Sequence, residues 1–179
     1  MDPQIVFLIW LPVFVVACAV AIHVDDNARK TWKAAYFLSG RVLYRRAYLL
    51  GRPSGTIPDA ALLNQRFASR WGWSMEFQSL TPSDIAFRGE ETTRMPVNAL
   101  MHGRLEFDLK TGRVVVTGYA NQATFWFYGG LGAFAILSMN AAAWAIFLMA
   151  LLLSALVFWG RRDHYSDIGK YAAYLFAKG

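Results

Sequence analysis

The chain carries one cysteine in 179 residues, and only 17% of its residues are charged. A lone cysteine excludes a disulfide framework. The low charge, set against 56% hydrophobic residues, excludes a disordered chain and points to the membrane class. Recognisable chemistry is also missing. There is no Gly-rich phosphate loop, no paired-cysteine metal site, no His-Glu-x-x-His helix and no Gly-x-Ser-x-Gly elbow. Asp84, Glu90, Glu91, Glu106 and Asp108 have no spacing that separates them from solvated strand and loop residues. The net charge is +6, which on a soluble protein raises nucleic-acid binding. Here Lys and Arg gather beside apolar runs, a membrane-topology signal, so no nucleic-acid partner is expected.

Two apolar runs dominate what is present. Residues 5–24 carry no charge, and ~20 residues at a rise of ~1.5 Å cross a ~30 Å hydrocarbon core. Pro12 lies inside this run and predicts a kink. A cleaved signal would begin with basic residues, whereas this chain begins Met-Asp-Pro-Gln. Val15-Val16-Ala17-Cys18 loosely resembles a lipoprotein cleavage site, but the apolar run continues to Val24. An intact anchor with a buried thiol is the expectation.

The second run, 114–160, is also free of charge. Its β-branched start, 114–119, reads as a strand. The remainder reads as two spans, 122–137 and 141–159, joined by a polar turn at Asn140. The competing reading is one span, 141–159, preceded by a helix lying in the interface. Charge placement favours the hairpin. Arg29, Lys30 and Lys33 follow the first span, Arg161 and Arg162 follow the last, and the N-terminus has no Lys or Arg. Three crossings place both basic regions inside and the N-terminus outside, as in a bacterial inner membrane. Phe125, Trp126 and Phe127 then share the inner interface with Phe158 and Trp159, with Trp144 near the opposite one. Gly129, Gly132 and Ala133, with Ala141 and Ala145, are expected to let helices approach closely, either within the hairpin or against a partner. The spans contain no acidic or basic residue, which argues against a transporter.

Residues 25–52 read as a basic, aromatic helix along the inner membrane face. It starts at Asp26 or Asn27, with Trp32, Tyr36, Leu43, Ala47 and Leu50 near one side. Arg29, Lys30, Lys33, Arg41, Arg45 and Arg46 are its expected contacts to anionic lipid, each contributing roughly 1 kcal/mol. The alternative is a continuous helix projecting into the cytosol, or a docking face for an acidic partner. The loop signal Gly51-Arg52-Pro53-Ser54-Gly55 opens a small α+β domain over 56–119. Pro58 starts a helix whose stripe is Leu63, Phe67 and Trp71, closed by Gly72. Period-two alternation follows in Trp73, Met75 and Phe77, in Ile85 and Phe87, and in Leu105, Phe107 and Leu109. Thr81-Pro82-Ser83-Asp84 and Lys110-Thr111-Gly112 are turns, and 88–96 is a polar loop. Two hairpins in one four-stranded sheet, covered by the 58–71 helix, are predicted. The tail, 161–179, reads as a short amphipathic helix against the membrane or a neighbour.

The expected fold is therefore membrane α+β, with one N-terminal span, a C-terminal hairpin of spans and a small antiparallel-sheet domain between them. No cofactor is expected, although His23 and His164, each beside a span, are a weak pair of axial haem ligands. His102 has no metal companion in the sequence. The function this implies is a non-catalytic accessory or assembly subunit of a larger membrane complex, with other membrane subunits as partners. The alternatives are a membrane enzyme or haem-binding redox subunit, and a sensor of anionic lipid.

Overall fold

The computed structural model describes residues 3–38, 40–49, 56–67, 75–89, 102–120, 122–138 and 141–178. The chain is α+β, with a five-stranded antiparallel sheet and two long apolar helices. It divides into two units. One comprises 1–30 and 121–161; the other comprises 31–120 and 162–179.

The first unit is helical. α1 (Pro3–Lys30) runs through Pro12 without interruption. α4 (Gln122–Ser138) and the first half of α5 (Ala141–Lys178) are its other members. The expected turn residue Asn140 lies between α4 and α5 in sequence. That residue lies outside the described ones, as do the side chains at 125 and 126. Ring packing joins α1 to α4: Trp10 stacks on Phe14 at 4.6 Å and meets Phe134 at 5.2 Å. Gly130 gives Phe14 its place, since a Cβ there would overlap the ring. The Tyr128 hydroxyl donates to the Ala150 carbonyl at 3.4 Å, tying α4 to α5.

The second unit is built on the sheet, whose strand order is β1-β5-β4-β3-β2. β2 (Met75–Thr81), β3 (Asp84–Gly89), β4 (His102–Asp108) and β5 (Arg113–Tyr119) form a meander, as their alternating sequences predict. At the β4–β5 turn, Gly112 takes φ +61°. Asp108 accepts from the Lys110 and Thr111 amides and from the Thr111 hydroxyl. That hydroxyl bond, with the amides, holds the Asp108 carboxyl below the ordinary aspartate range. The turn Thr81–Asp84 is closed by the Thr81 hydroxyl on Asp84 Oδ2, 2.7 Å.

Residues 25–52 are not the single helix that the spacing of Trp32, Tyr36, Leu43 and Ala47 predicts. α1 stops at Lys30, α2 covers only Ala34–Leu38, and Val42–Leu49 is a fifth strand, β1, paired antiparallel with β5. Tyr44 and Tyr48 are four apart, a spacing that also fits one face of a strand, and burial against the core selects the strand. Gly40 at φ +136° makes the bend between α2 and β1.

One face of the sheet packs on α3 (Ala60–Phe67) and on the C-terminal part of α5. The tail therefore belongs to the core of this unit. Tyr165, Ile168, Ala172 and Phe176 are buried with Leu63, Phe87, Leu105, Val114 and Val116. Tyr165 stacks on Tyr44 at 5.2 Å, and Phe176 meets Phe107 edge-on at 5.5 Å. Two glycines allow this approach. A Cβ on Gly118 would lie 2.7 Å from the Tyr165 ring carbon Cζ, and a Cβ on Gly169 would lie 2.7 Å from Val116 Cγ2. α3 begins at Ala60, two residues after the expected start at Pro58, and beyond Phe67 the expected Trp71, Gly72 and Trp73 lie outside the described residues. So do the loop 51–55 and the expected polar loop beyond Gly89.

Candidate functional site

The second face of the sheet carries the polar side chains, and strand register sets them in rows. Glu76 on β2 lies opposite Arg88 on β3, Arg88 opposite His102 on β4, and His102 opposite Tyr119 on β5. The next row runs Gln78, Ala86, Arg104, Thr117 and Arg45, and Glu106 lies between Asp84 and Val115. Alternation along each strand puts all of these on the face opposite the core.

The carboxylates of this face are engaged. Glu76 binds Arg88 with oxygen–nitrogen distances of 2.5 and 2.6 Å. Arg104 sits between Glu106 at 3.4 Å and Asp84 at 4.0 Å. The Arg88 guanidinium also lies over the Trp32 ring, 4.5 Å from its centre. Trp32 stacks on Phe37 at 5.1 Å, and Tyr36 stacks on His102 at 4.4 Å. The segment 31–38 is thereby clamped to one end of the face, where Phe37, His102 and Tyr119 are buried. Trp32 holds φ +49°, a left-handed conformation that costs a non-glycine residue about 1 kcal/mol. Its contacts to Phe37 and Arg88 hold it there. His102 is thus held in an aromatic clamp by Tyr36, Phe37 and Tyr119.

The two edges of the sheet differ. At the β2 edge, Asn64 of α3 donates to the Phe77 carbonyl at 2.9 Å and accepts from the Phe77 amide at 2.7 Å. The side-chain amide takes the place of a neighbouring strand. At the β1 edge, Arg45 and Arg46 are exposed and form no ion pair among the described residues, and the same holds for Arg113 on β5. Neither β1 nor β5 contains an acidic residue. Leu43 is 41% exposed and Leu49 is 78% exposed on the same strand. On the core side, Tyr48 donates to the Ser166 carbonyl and meets the Ser166 hydroxyl, both at 3.2 Å, and bonds the Tyr44 hydroxyl at 3.2 Å. Burial, with the Tyr44 hydroxyl opposing a second charge, pushes the Tyr48 phenol up to about 12.

The residues singled out from sequence are distributed as follows. Arg29 is buried and bound to Asp26 at 3.0 Å, and Lys30 shares Asp26 at 2.6 Å. Lys33 and Arg41 are exposed, and Arg45 and Arg46 lie on β1, so the six cations do not form one helical face. His23 falls in the helical unit and His164 in the sheet unit; both are exposed. Among the small residues, a Cβ on Gly129 would meet nothing within 4 Å, whereas one on Gly132 would lie 3.3 Å from the Phe147 ring. Ala141 and Ala145 are exposed, and Ala133 is half-buried. The closest packing falls on Gly130, Ala135 and Ala143, a shift in helical phase that composition alone does not show. Among the described residues, no group of three His, Cys, Asp or Glu side chains is placed to hold a metal ion. Comparison with protein-family models, with curated proteins and with solved structures finds no match.

Proposed function

We propose that this chain is a non-catalytic accessory subunit of a larger membrane complex, crossing the bilayer three times and presenting the sheet unit to the cytoplasm. The observation that carries the reading is a shared core. Val114 and Val116 precede the apolar hairpin in sequence, Tyr165, Ile168 and Phe176 follow it, and all are packed together. Segments that share one core lie on one side of a bilayer. The chain between 120 and 162 therefore crosses an even number of times. The apolar half of α5 is long enough to cross a bilayer, and its most apolar stretch is not buried, which favours crossing. If α5 crosses, α4 crosses too. This supports three spans over the two-span alternative, with α4 shorter than ideal and accommodated by local thinning of the bilayer.

The positions of basic residues beside α1 and α5 support a cytoplasmic sheet unit, and the N-terminus then lies outside. The accessory role is supported by charged rows consumed in internal pairing, and by cations concentrated on one open edge. These features suit binding.

Two measurements test this. In a Cys18→Ala background, Ser83→Cys and Asp167→Cys should label only after the cell membrane is made permeable, and an N-terminal tag should be read from outside. Labelling of the two positions from opposite sides would overturn the shared-side argument. Native mass after gentle solubilisation should show this chain with other subunits, and a stable lone monomer would contradict the accessory role. A second reading, a sensor of anionic lipid, draws on the exposure of Lys33, Arg41, Arg45 and Arg46. It requires binding that weakens steeply with salt.

A further inference from the structure

The two edges of the sheet have been treated differently by the sequence, and the difference selects a ligand. An antiparallel edge strand turns alternate amides and carbonyls outward, a template for another strand. At β2 the template is occupied at Phe77 by the Asn64 side chain. At β1, an eight-residue strand without proline, no described residue pairs with the outward side. Residue charge is equally lopsided. The carboxylates on β2, β3 and β4 meet arginines or turn amides. Among the described residues Arg45 and Arg46 meet no carboxylate, Arg46 lying over the Tyr48 ring at 5.6 Å, and the two point to opposite faces of the sheet.

From this we infer that β1 is a docking edge for an acidic, extended segment of a partner protein, which adds to the sheet as a sixth strand. The inference rests on the accessory-subunit reading and names the surface through which it works. Backbone pairing along β1 supplies the affinity. Arg45 on one face and Arg46 on the other give the guest strand a carboxylate partner on whichever face its acidic residues fall, while Leu43 and Leu49 receive apolar neighbours. A second copy of this chain suits the edge poorly, because two β1 strands ~4.8 Å apart would bring four guanidinium groups together. Edge arginines also discourage unwanted pairing. That protective role predicts rejection of every strand, and so it is separable by experiment.

The test uses the full chain in neutral detergent with a fluorescent eight-residue peptide of alternating threonine and glutamate. The peptide should bind, and binding should weaken as salt rises. Methylation of its alternate backbone amides should weaken binding at least about tenfold, because the pairing hydrogen bonds are lost. Arg45→Glu with Arg46→Glu should weaken it by at least about as much, and should create binding of a second eight-residue peptide, of alternating threonine and lysine. Arg45→Gln with Arg46→Gln, a milder pair of changes at exposed positions, should give an intermediate loss. Amide exchange within 42–49 should slow when the acidic peptide is bound. No binding at about 1 mM peptide, or equal binding of the methylated peptide, overturns the inference. So does competition by short-chain phosphatidylserine without any effect of methylation, which would make the edge a lipid contact. Failure here is distinct from failure of the accessory reading. If the double-glutamate variant still co-purifies with its complex, the edge proposal falls and the accessory role stands.

Discussion

Gly169 offers the sharpest test of how α5 covers the sheet. A Cβ at this position would lie 2.7 Å from Tyr48 Cζ and from Val116 Cγ2, and closer still to Tyr48 Cε2. Neither neighbour yields easily. Val116 is fully buried, and the Tyr48 hydroxyl is bonded to Ser166 on the same helix. Two opposing effects set the outcome of Gly169→Ala. Helix propensity favours alanine by about 1 kcal/mol. Overpacking a filled site costs typically ~1–3 kcal/mol. The net expectation is a loss of up to about 2 kcal/mol, or a fall in Tm of several degrees for a unit of this size. Thermal unfolding of the full chain in detergent, followed by near-ultraviolet circular dichroism, measures it. The cause is isolated by a cycle with Tyr48→Ala. Removing the ring makes room for the new methyl, so the double variant should be more stable than the sum of the single effects by ~0.5–2 kcal/mol. If Gly169→Ala stabilises the wild-type protein by the full helix-propensity gain, α5 does not lie on Val116 and Tyr48, and the shared-core argument for three spans goes with it.

Asn64→Ala should cost about 2 kcal/mol, because two hydrogen bonds to the Phe77 backbone are lost and the freed groups are partly buried; urea titration reads this as a lower midpoint at unchanged slope. Arg88→Ala should cost ~1–2 kcal/mol, with Arg88→Lys recovering only part, since a lysine restores the charge to Glu76 but not the flat contact on Trp32. Quenching of Trp32 fluorescence by iodide should rise in the alanine variant. The Tyr48 phenol ionises at about 12 in the folded protein, against an ordinary value near 10, so the unfolded chain loses its proton first. The sheet unit should therefore hold full benefit from this group below pH ~10 and lose it progressively as pH rises from ~10 to 12. Tyr48→Phe should flatten that part of the Tm profile, and an unchanged profile would remove Tyr48 as its cause.

Much of the sheet was legible in the residues. Leu105 and Phe107, the turn Lys110-Thr111-Gly112, then Val114 and Val116 spell a hairpin, and β4 and β5 form one. Ile85 and Phe87 mark β3 as plainly. The fifth strand was hidden because Tyr44 and Tyr48 satisfy two periods at once, and the surrounding Leu43, Arg45 and Ala47 are acceptable in a helix. What decides is pairing with β5, a contact between residues far apart in sequence that no local pattern encodes. The tail shows the complementary limit. Tyr165, Ile168, Ala172 and Phe176 declare an apolar face by their spacing, yet spacing does not say whether lipid or a sheet covers it. The candidate site inherits both problems. Arg45 and Arg46 were visible as cations, but an edge exists only once the strand order is known.

The Asn64 amide has a consequence for stoichiometry. Molecules that join edge to edge polymerise only when each offers two open sides, and here one side is plugged from within by the molecule's own helix. A guest strand can then add on the β1 side alone, one per molecule, and a change at this single asparagine would free the Phe77 backbone as a second place for one.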